Sequence, residues 1–445
     1  MTRSPASRRA FLQTTAAAAA VAAVPYFAST PKSLAQETKS ANDRPVVGCI
    51  GLGGMGRGDA HAISGFGDIV AICDVDRSHA EQANADPKIG KGKAELFEDY
   101  RKLLDRKDID LVTISTPDHW HTAIALAALK AGKDVHCQKP LTLTIAEGQL
   151  LCAAVKESGR VFQVGTQQRS DANFLKAVAL AQQGRIGKIH KVTVAIGGAP
   201  KGGKFAKTTP PPHLNWDMWL GQAPKVDFIN ERCHNNFRWW YEYSGGKMTD
   251  WGAHHVDIAQ WGIGMQDTGP TSLEVLAAEH PVPYENGNPT VDDTYNAAVT
   301  FDVKCLFANG VEMRIRDRAD DLGFDNGVMF EGENGRFFVN RGKLTGKPVE
   351  DLAQNPLPEQ VLTDLRKGKP HEGHMANFVR CTQDRSLPIS DVYSHHRILT
   401  TCHLANIALR LNRKLAWDPK SEQIVGDNQA RGMQSREARK GYEVA

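Results

Sequence analysis

Three places in the 445-residue chain combine residue types and spacings that could do chemistry. The first is Gly51-x-Gly53-x-x-Gly56, with Asp74 eighteen positions past the last glycine. Such glycines allow a tight turn, a close backbone approach to a pyrophosphate, and close packing of helix on strand, while the helix N-terminus offers N–H groups to phosphate. An acid at the end of the next strand accepts hydrogen bonds from ribose hydroxyls and repels a 2′-phosphate, which favours NAD over NADP; Arg77 nearby works against that preference. The second place is Lys139-Pro140. Proline disfavours helix for the residue before it, so an ammonium there is held extended, within reach of a reacting hydroxyl or a nicotinamide ribose. The third is the run 245–257, in which Asp250 and His254 are four apart and on one helix would share a face. A carboxylate beside an imidazole fixes its tautomer and raises its basicity, as a general base needs. Each place has a plainer reading: a glycine-rich turn, an exposed loop lysine, an aspartate N-cap, a packing histidine.

The elements around these residues decide between the readings. Val46 to Ile50 is an apolar run that fits a buried strand, 57–64 suits a helix, and 69–73 is a second buried strand ending at Asp74. Helical patterns at 78–84, 100–105, 118–130 and 144–157 then alternate with strands at 111–115, 135–137 and 161–164. Regular alternation predicts an α/β fold, a doubly wound Rossmann sheet over 45–166, with ligands at the carboxyl ends of its strands. Those ends carry Gly51, Gly53, Met55 and Gly56, then Asp74, then Thr116 and Pro117 with His121 in the following helix, then Gln138 and Lys139. These are the expected cofactor contacts.

Past Gly165 the alternation stops. A strand at 188–196, a helix at 249–263, strands at 273–278, 294–301, 311–316, 328–332 and 336–340, and a helix at about 396–411 predict an α+β domain over 167–418. Strands clustered after one helix give a largely antiparallel, open sheet. Residues 419–445 form a C-terminal arm. Three side chains are expected to touch substrate: Arg169 just past the last strand of the first domain, Tyr241 in the aromatic run Trp239-Trp240-Tyr241, and His255 beside His254. An aromatic run at that place suits a sugar face or a core equally.

The formal charge of +3 arises from the first 35 residues, where Arg3, Arg8, Arg9 and Lys32 meet no acid; without them it is −1, and a nucleic-acid partner is not expected. Ser7-Arg8-Arg9-Ala10-Phe11-Leu12 is a twin-arginine pattern, followed by an alanine-rich apolar stretch and a small-x-small site at Ser33-Leu34-Ala35. Residues 1–35 therefore read as a signal for the twin-arginine export machinery, cleaved near Ala35, with 36–44 as linker and a periplasmic or otherwise exported product with no membrane attachment. Eight cysteines without C-x-x-C spacing, several in buried strands, point to free thiols rather than disulfides or a structural zinc. His371-Glu372-Gly373-His374 is not a metal-ligating H-E-x-x-H, and no metal is expected.

Together these motifs resemble the Gfo/Idh/MocA oxidoreductases, over nearly all of the mature chain. The glycine loop, Thr116-Pro117-x-x-x-His121, Lys139-Pro140 and Asp250-x-Gly252-x-His254-x-x-Asp257 stand where that family has its motifs. The resemblance implies that Lys139, Asp250 and His254 form the catalytic group, and that a hydride moves between a sugar or polyol CH–OH and NAD. Gln138 stands where many members have glutamate before Lys-Pro. The Asn377-Phe378 and Cys402–Ala408 helices and Ser435-Arg436-Glu437 resemble an exported bacterial branch, which implies an ordered C-terminal arm. An exported enzyme meets little free NAD, so tight, self-recycling cofactor is expected, and the family's sheet implies a homo-oligomer. Two rivals stand beside this reading: a redox-neutral glycoside hydrolase or lyase on the same fold, and a sugar- or cofactor-binding protein without chemistry.

Overall fold

The computed structural model describes residues 44–444; the signal and cleavage site expected over 1–35, and the linker up to residue 43, lie outside them. The first sheet has six parallel strands: β1 (Val46–Ile50), β2 (Asp68–Cys73), β3 (Glu95–Phe97), β4 (Leu111–Ile114), β5 (Asp134–Cys137) and β6 (Phe162–Val164). They lie in the order β3-β2-β1-β4-β5-β6. The order reverses between β1 and β4, and the crevice at such a reversal is where open α/β sheets bind ligands. Strands β4 and β5 are buried at every residue, as parallel strands covered on both faces are. Strand β3 has two exposed residues in three and left no apolar run.

Helix α1 (Gly54–Ser64) leaves β1 through the glycine loop. A Cβ at Gly56 would stand 1.8 Å from the Gly51 carbonyl oxygen, so glycine alone lets α1 lie this close to the turn. Gly51 itself has φ +81°, in the left-handed region. Helix α2 (Arg77–Ala85) is capped by Asp76, α3 (Tyr100–Leu104) by Asp99, and α4 (Asp118–Lys130) packs across β4 and β5.

The second sheet contains β7 (Ile189–Ala195), β8 (Ser272–Glu279), β11 (Thr300–Leu306), β12 (Glu312–Arg316), β13 (Gly327–Gly332), β14 (Gly335–Val339), β15 (Leu344–Thr345), β16 (Leu415–Asp418) and β17 (Gln423–Val425); β9 (Tyr284–Glu285) and β10 (Asn288–Pro289) form a separate ribbon. Only β7 and β12 pair in parallel; the other neighbours are antiparallel. The strand expected at 294–301 begins later, at Thr300. The preceding segment is apolar because it is enclosed rather than pleated: the Asn296 and Ala297 N–H groups donate to the Trp239 carbonyl, and Asn296 Oδ1 accepts from Tyr241 N–H at 2.7 Å.

One face of this sheet packs on the Gly252–Gly262 helix, buried at every residue, which in turn packs on the long Val392–Leu411 helix. The C-terminal arm is ordered. Arg439 Nε donates to the Gly221 carbonyl at 2.8 Å, its Nη1 bonds Asp217 at 2.5 Å, and Arg436 donates to the Tyr241 carbonyl. All eight cysteines are free. No helix among the described residues is long and apolar enough to cross a membrane.

Candidate active site

The crevice at the strand reversal is a cleft of about 320 Å³, within the usual range of ligand and cofactor sites. Gly51, Gly53, Met55, Asp74, Thr116, Pro117, Gln138 and Lys139 line it. The residues fit NAD. No heavy atom lies closer than 3.8 Å to a Cβ built on Gly53, so the loop is open to a phosphate, and the N–H groups opening α1 face no side-chain cap. Asp74 stands just past β2, its Oδ2 accepting from Leu52 N–H at 2.7 Å and its Oδ1 from Asp76 N–H at 2.9 Å, which fixes the carboxylate beside the glycine loop. Gly56 shapes the loop without lining the cleft.

At the other end of the cleft stands Lys139, two residues past β5. Its Nζ lies 2.5 Å from Asp250 Oδ1 and 3.1 Å from the Asp250 carbonyl oxygen. Both side chains are about nine-tenths buried, at 9% and 10% exposed. The helix expected at 249–263 is broken here. One piece, Gly246–Asp250, ends and another, Gly252–Gly262, begins after Trp251. The His254 N–H bonds the Trp251 carbonyl at 3.0 Å, so the Asp250 carbonyl is free of the helix ladder and receives Lys139 instead. Asp250 and His254 therefore do not share a helix face, and the expectation that Asp250 orients His254 gives way. Asp250 serves Lys139 and Arg238, whose Nε is 3.3 Å away. Burial pushes the Asp250 carboxyl up, but Lys139 and Arg238 outweigh it and hold it below the usual range.

His254 stands within the electrostatic reach of Lys139. Burial, then the charges of Lys139 and Arg341, hold its imidazole well below the ordinary histidine value, so the ring is neutral at pH 7. Its Nδ1 is buried with no protein partner. Several other histidines, among them His119, His136 and His403, also carry an unpartnered buried nitrogen, and neither His254 nor Asp250 is among the residues lining the cleft.

Several other expected contacts take different roles. Arg169 is 2% exposed and its guanidinium is spent on Asp257 at 2.7–3.1 Å, the Ile389 carbonyl and Ser394 Oγ; it clamps the Gly252–Gly262 helix rather than meeting substrate. His255 is fully buried, bonds Asn326 Oδ1 at 2.9 Å and packs on Phe174 and Trp251. Tyr241 is buried under Arg410 and bonds Asn406, away from the cleft. His121 does not line the cleft. Its ring sits between the Thr116 and Pro140 carbonyls at 2.9 and 2.7 Å and ties together the two loops that do. The Gln138 amide lines the cleft but donates to Asp59 at 2.9 and 3.1 Å.

The structure also gathers residues that no motif marked. Lys247 Nζ lies over the rings of Trp239 and Trp251 at 5.5 and 5.7 Å, and Arg341 over Trp251 at 4.7 Å. With Lys139 and Arg238, four cations thus act electrostatically on the carboxylate of Asp250. A field of this sign favours negative charge on an oxygen bound there. Asp118, at the start of α4, lines the cleft and accepts from Ser244 Oγ at 2.5 Å; burial pushes its carboxyl up to about 7. Lys247 and Trp251 are four apart within the 245–257 run, whereas Arg341 reaches Trp251 from ninety positions away and leaves no local spacing to read.

A model of the Gfo/Idh/MocA oxidoreductase family's NAD-binding Rossmann fold matches residues 46–166, and a model of that family's C-terminal alpha/beta domain matches residues 201–444. The inositol 2-dehydrogenase of Salmonella typhimurium is 33% identical over 147 residues, which are 32% of this chain and 43% of that enzyme, so the chain aligns with less than half of its length. Inositol 2-dehydrogenase 2 of Saccharopolyspora erythraea is 33% identical over 336 residues, 72% of this chain and 76% of that enzyme. Among solved structures, the WlbA dehydrogenase from Bordetella pertussis, in complex with NADH and UDP-GlcNAcA, superposes with a TM-score of 0.59 at 19% identity, covering 84% of this chain and 99% of that one. At that identity the likeness is one of fold.

Proposed function

The chain belongs to the Gfo/Idh/MocA oxidoreductase family, and from that premise we propose that it is an NAD-dependent oxidoreductase acting on a CH–OH carbon of a sugar, glycoside or polyol. The observation that carries the reading is the ammonium of Lys139 at the end of the cofactor cleft, paired at 2.5 Å with Asp250 from the second domain. Bound NAD supplies the hydride acceptor. Lys139 donates a hydrogen bond to the reacting oxygen, and Asp250 holds that side chain in place. His254, neutral and with an unpartnered Nδ1, receives the hydroxyl proton. A weakly basic ring suffices, because loss of hydride turns the hydroxyl into that of a protonated carbonyl, a strong acid. The cations Arg238, Lys247 and Arg341 lower the cost of charge on the oxygen.

Asp74 at the ribose end supports NAD over NADP. The twin-arginine segment supports export with the cofactor already bound, and hence tight retention. The exposed face of the second sheet, with Leu276 and Leu306 each 44% exposed among paired charges, supports a homo-oligomer built on that face. The test is to denature purified protein, identify the released nucleotide, and incubate native protein with sugars, polyols and glycosides, reading products by mass spectrometry. Released NAD and an oxidised sugar are expected. Absence of any bound or bindable nicotinamide would overturn the reading, and a cleaved glycoside with no net redox change would replace it with a redox-neutral one.

A further inference from the structure

Asp76 caps α2, and its Oδ1 is pinned by Ser78, accepting from the backbone N–H at 2.9 Å and from Oγ at 2.6 Å. Its Oδ2 is left facing three imidazoles. The Nε2 atoms of His234, His213 and His79 approach it at 3.2, 3.8 and 3.9 Å. The potential ligand atoms of Asp76, His79 and His234 all lie within 4.8 Å of one another. On the far side of the His79 ring, Nδ1 faces Asp74 Oδ2 at 3.5 Å. The segment bearing His213 is strapped to α2: Arg77 N–H donates to the His213 carbonyl at 2.8 Å, and Asp76 and Leu214 form an antiparallel bridge.

We propose that Asp76, His79, His213 and His234 form a site for one zinc-type divalent transition metal, which ties two loops of the second domain to the ribose end of the cofactor cleft. The donor chemistry supports it. Three imidazoles and one carboxylate suit zinc, cobalt, nickel or copper, and not magnesium or calcium, which take oxygen ligands. In a tetrahedral zinc site with bonds of about 2.1 Å, donor atoms stand about 3.4 Å apart; His234 and His79 stand close to that, at 3.2 and 3.9 Å from Asp76 Oδ2, whereas His213, 3.8 Å from Asp76 Oδ2, lies outside the group whose ligand atoms are all within 4.8 Å of one another and joins as fourth ligand by turning its side chain. A carboxylate on the non-ligating nitrogen of His79 is the arrangement that orients a metal-bound imidazole and raises its basicity. Three imidazoles around one buried carboxylate have no comparable role without a metal, since one positive charge suffices to balance the aspartate. A ribose 2′-phosphate is the rival occupant, and Asp74 and Asp76 at the centre of the group repel it.

The consequence bears on the cleft. Asp76, His79 and His234 line it, while His213 and His234 come from segments of the second domain. A metal joining the four closes the adenosine end and slows cofactor release; this consequence rests on the cofactor reading above, whereas metal binding itself does not.

The test uses the full mature protein, stripped with a chelator and titrated with Zn²⁺ alone by calorimetry. The cobalt form is examined for the visible bands of tetrahedral Co²⁺. We expect one equivalent per chain, a rise in melting temperature on adding Zn²⁺, and affinity lowered at least about 10²-fold in His234→Gln and at least about tenfold in His213→Ala, by loss of a ligand. Circular dichroism identifies variants that remain folded. No binding by wild-type protein, or binding unchanged in both folded variants, overturns the proposal. So does tighter binding of NADP than NAD that His234→Gln abolishes, since the imidazoles would then serve a phosphate. Because the titration reads metal binding and neither nucleotide binding nor turnover, its failure is separate from failure of the oxidoreductase reading.

Discussion

Replacing Lys139 by methionine tests the pair that joins the two domains at the site. The substitution keeps the length of the side chain and removes two hydrogen bonds, at 2.5 and 3.1 Å, to Asp250. Removing one partner of a buried ion pair costs about 3–5 kcal/mol, because the other charge is left uncompensated. Two features reduce that here. Arg238 remains 3.3 Å from the same carboxylate oxygen. The freed Asp250 carbonyl can also accept the His254 N–H, worth about 1 kcal/mol, and so heal the helix break. The expected loss is therefore about 2–3 kcal/mol. Asp250→Asn leaves Lys139 and Arg238 facing each other and should cost about 3 kcal/mol. In the double variant neither charge is stranded, so the cycle should show a coupling of about 2 kcal/mol. Turnover should fall about 10²- to 10⁴-fold in Lys139→Met, the usual worth of a positioned proton donor. The assay is urea unfolding of the four proteins alongside turnover of an accepted sugar. Additivity within about 0.5 kcal/mol, with turnover retained in Lys139→Met, would refute the reasoning.

Two further outcomes follow from the fold. Gly56→Ala drives a methyl to 1.8 Å from the Gly51 carbonyl oxygen, so α1 must move off the loop; the folded variant should retain at least about tenfold less nicotinamide than wild type, read on denatured protein, at an overpacking cost of about 1–3 kcal/mol. Asp391 caps the Val392–Leu411 helix; burial raises its carboxyl, but Lys367 and Arg169 outweigh it and hold it at about 2. Its folded value lies below the unfolded one, so the stabilisation, about 2 kcal/mol, is fully present above about pH 4 and is lost as pH falls through about 2. Urea midpoints of wild type and Asp391→Asn should therefore converge over that window, and a constant gap would contradict the assignment.

How much of this was legible in the sequence depended on whether the signal was local. The first sheet was, because parallel strands buried on both faces leave short apolar runs, and because Gly51, Gly53 and Gly56 answer to backbone geometry within one turn. Strand β3 was not, since an edge strand with exposed residues needs no apolar run. Lys139 could be singled out by its place after a strand and before Pro140. Its partner could not be assigned correctly, because the i,i+4 argument assumed an unbroken helix, whereas the helix breaks at Trp251 and the Asp250 carbonyl left free there accepts from Lys139. Arg169 stood at a strand end, where ligand contacts are usual, but a guanidinium beside a buried Asp257 is structural, and Asp257 is far away in the chain. Arg341 and the group around Asp76 are assembled from segments whose proximity only the folded chain creates.

The central claim is that Lys139 and His254 converge on a carbon that gives its hydride to cofactor in the cleft. A single turnover with an accepted sugar carrying deuterium at the reacting CH–OH carbon measures it most directly, with the released nicotinamide nucleotide weighed afterwards. Wild-type protein should yield nucleotide one mass unit heavier than its reduced form, and folded Lys139→Met should do so at least about 100-fold more slowly. Deuterium arriving on the nucleotide at the wild-type rate in Lys139→Met, or never arriving in wild type for any sugar the protein converts, would contradict the account.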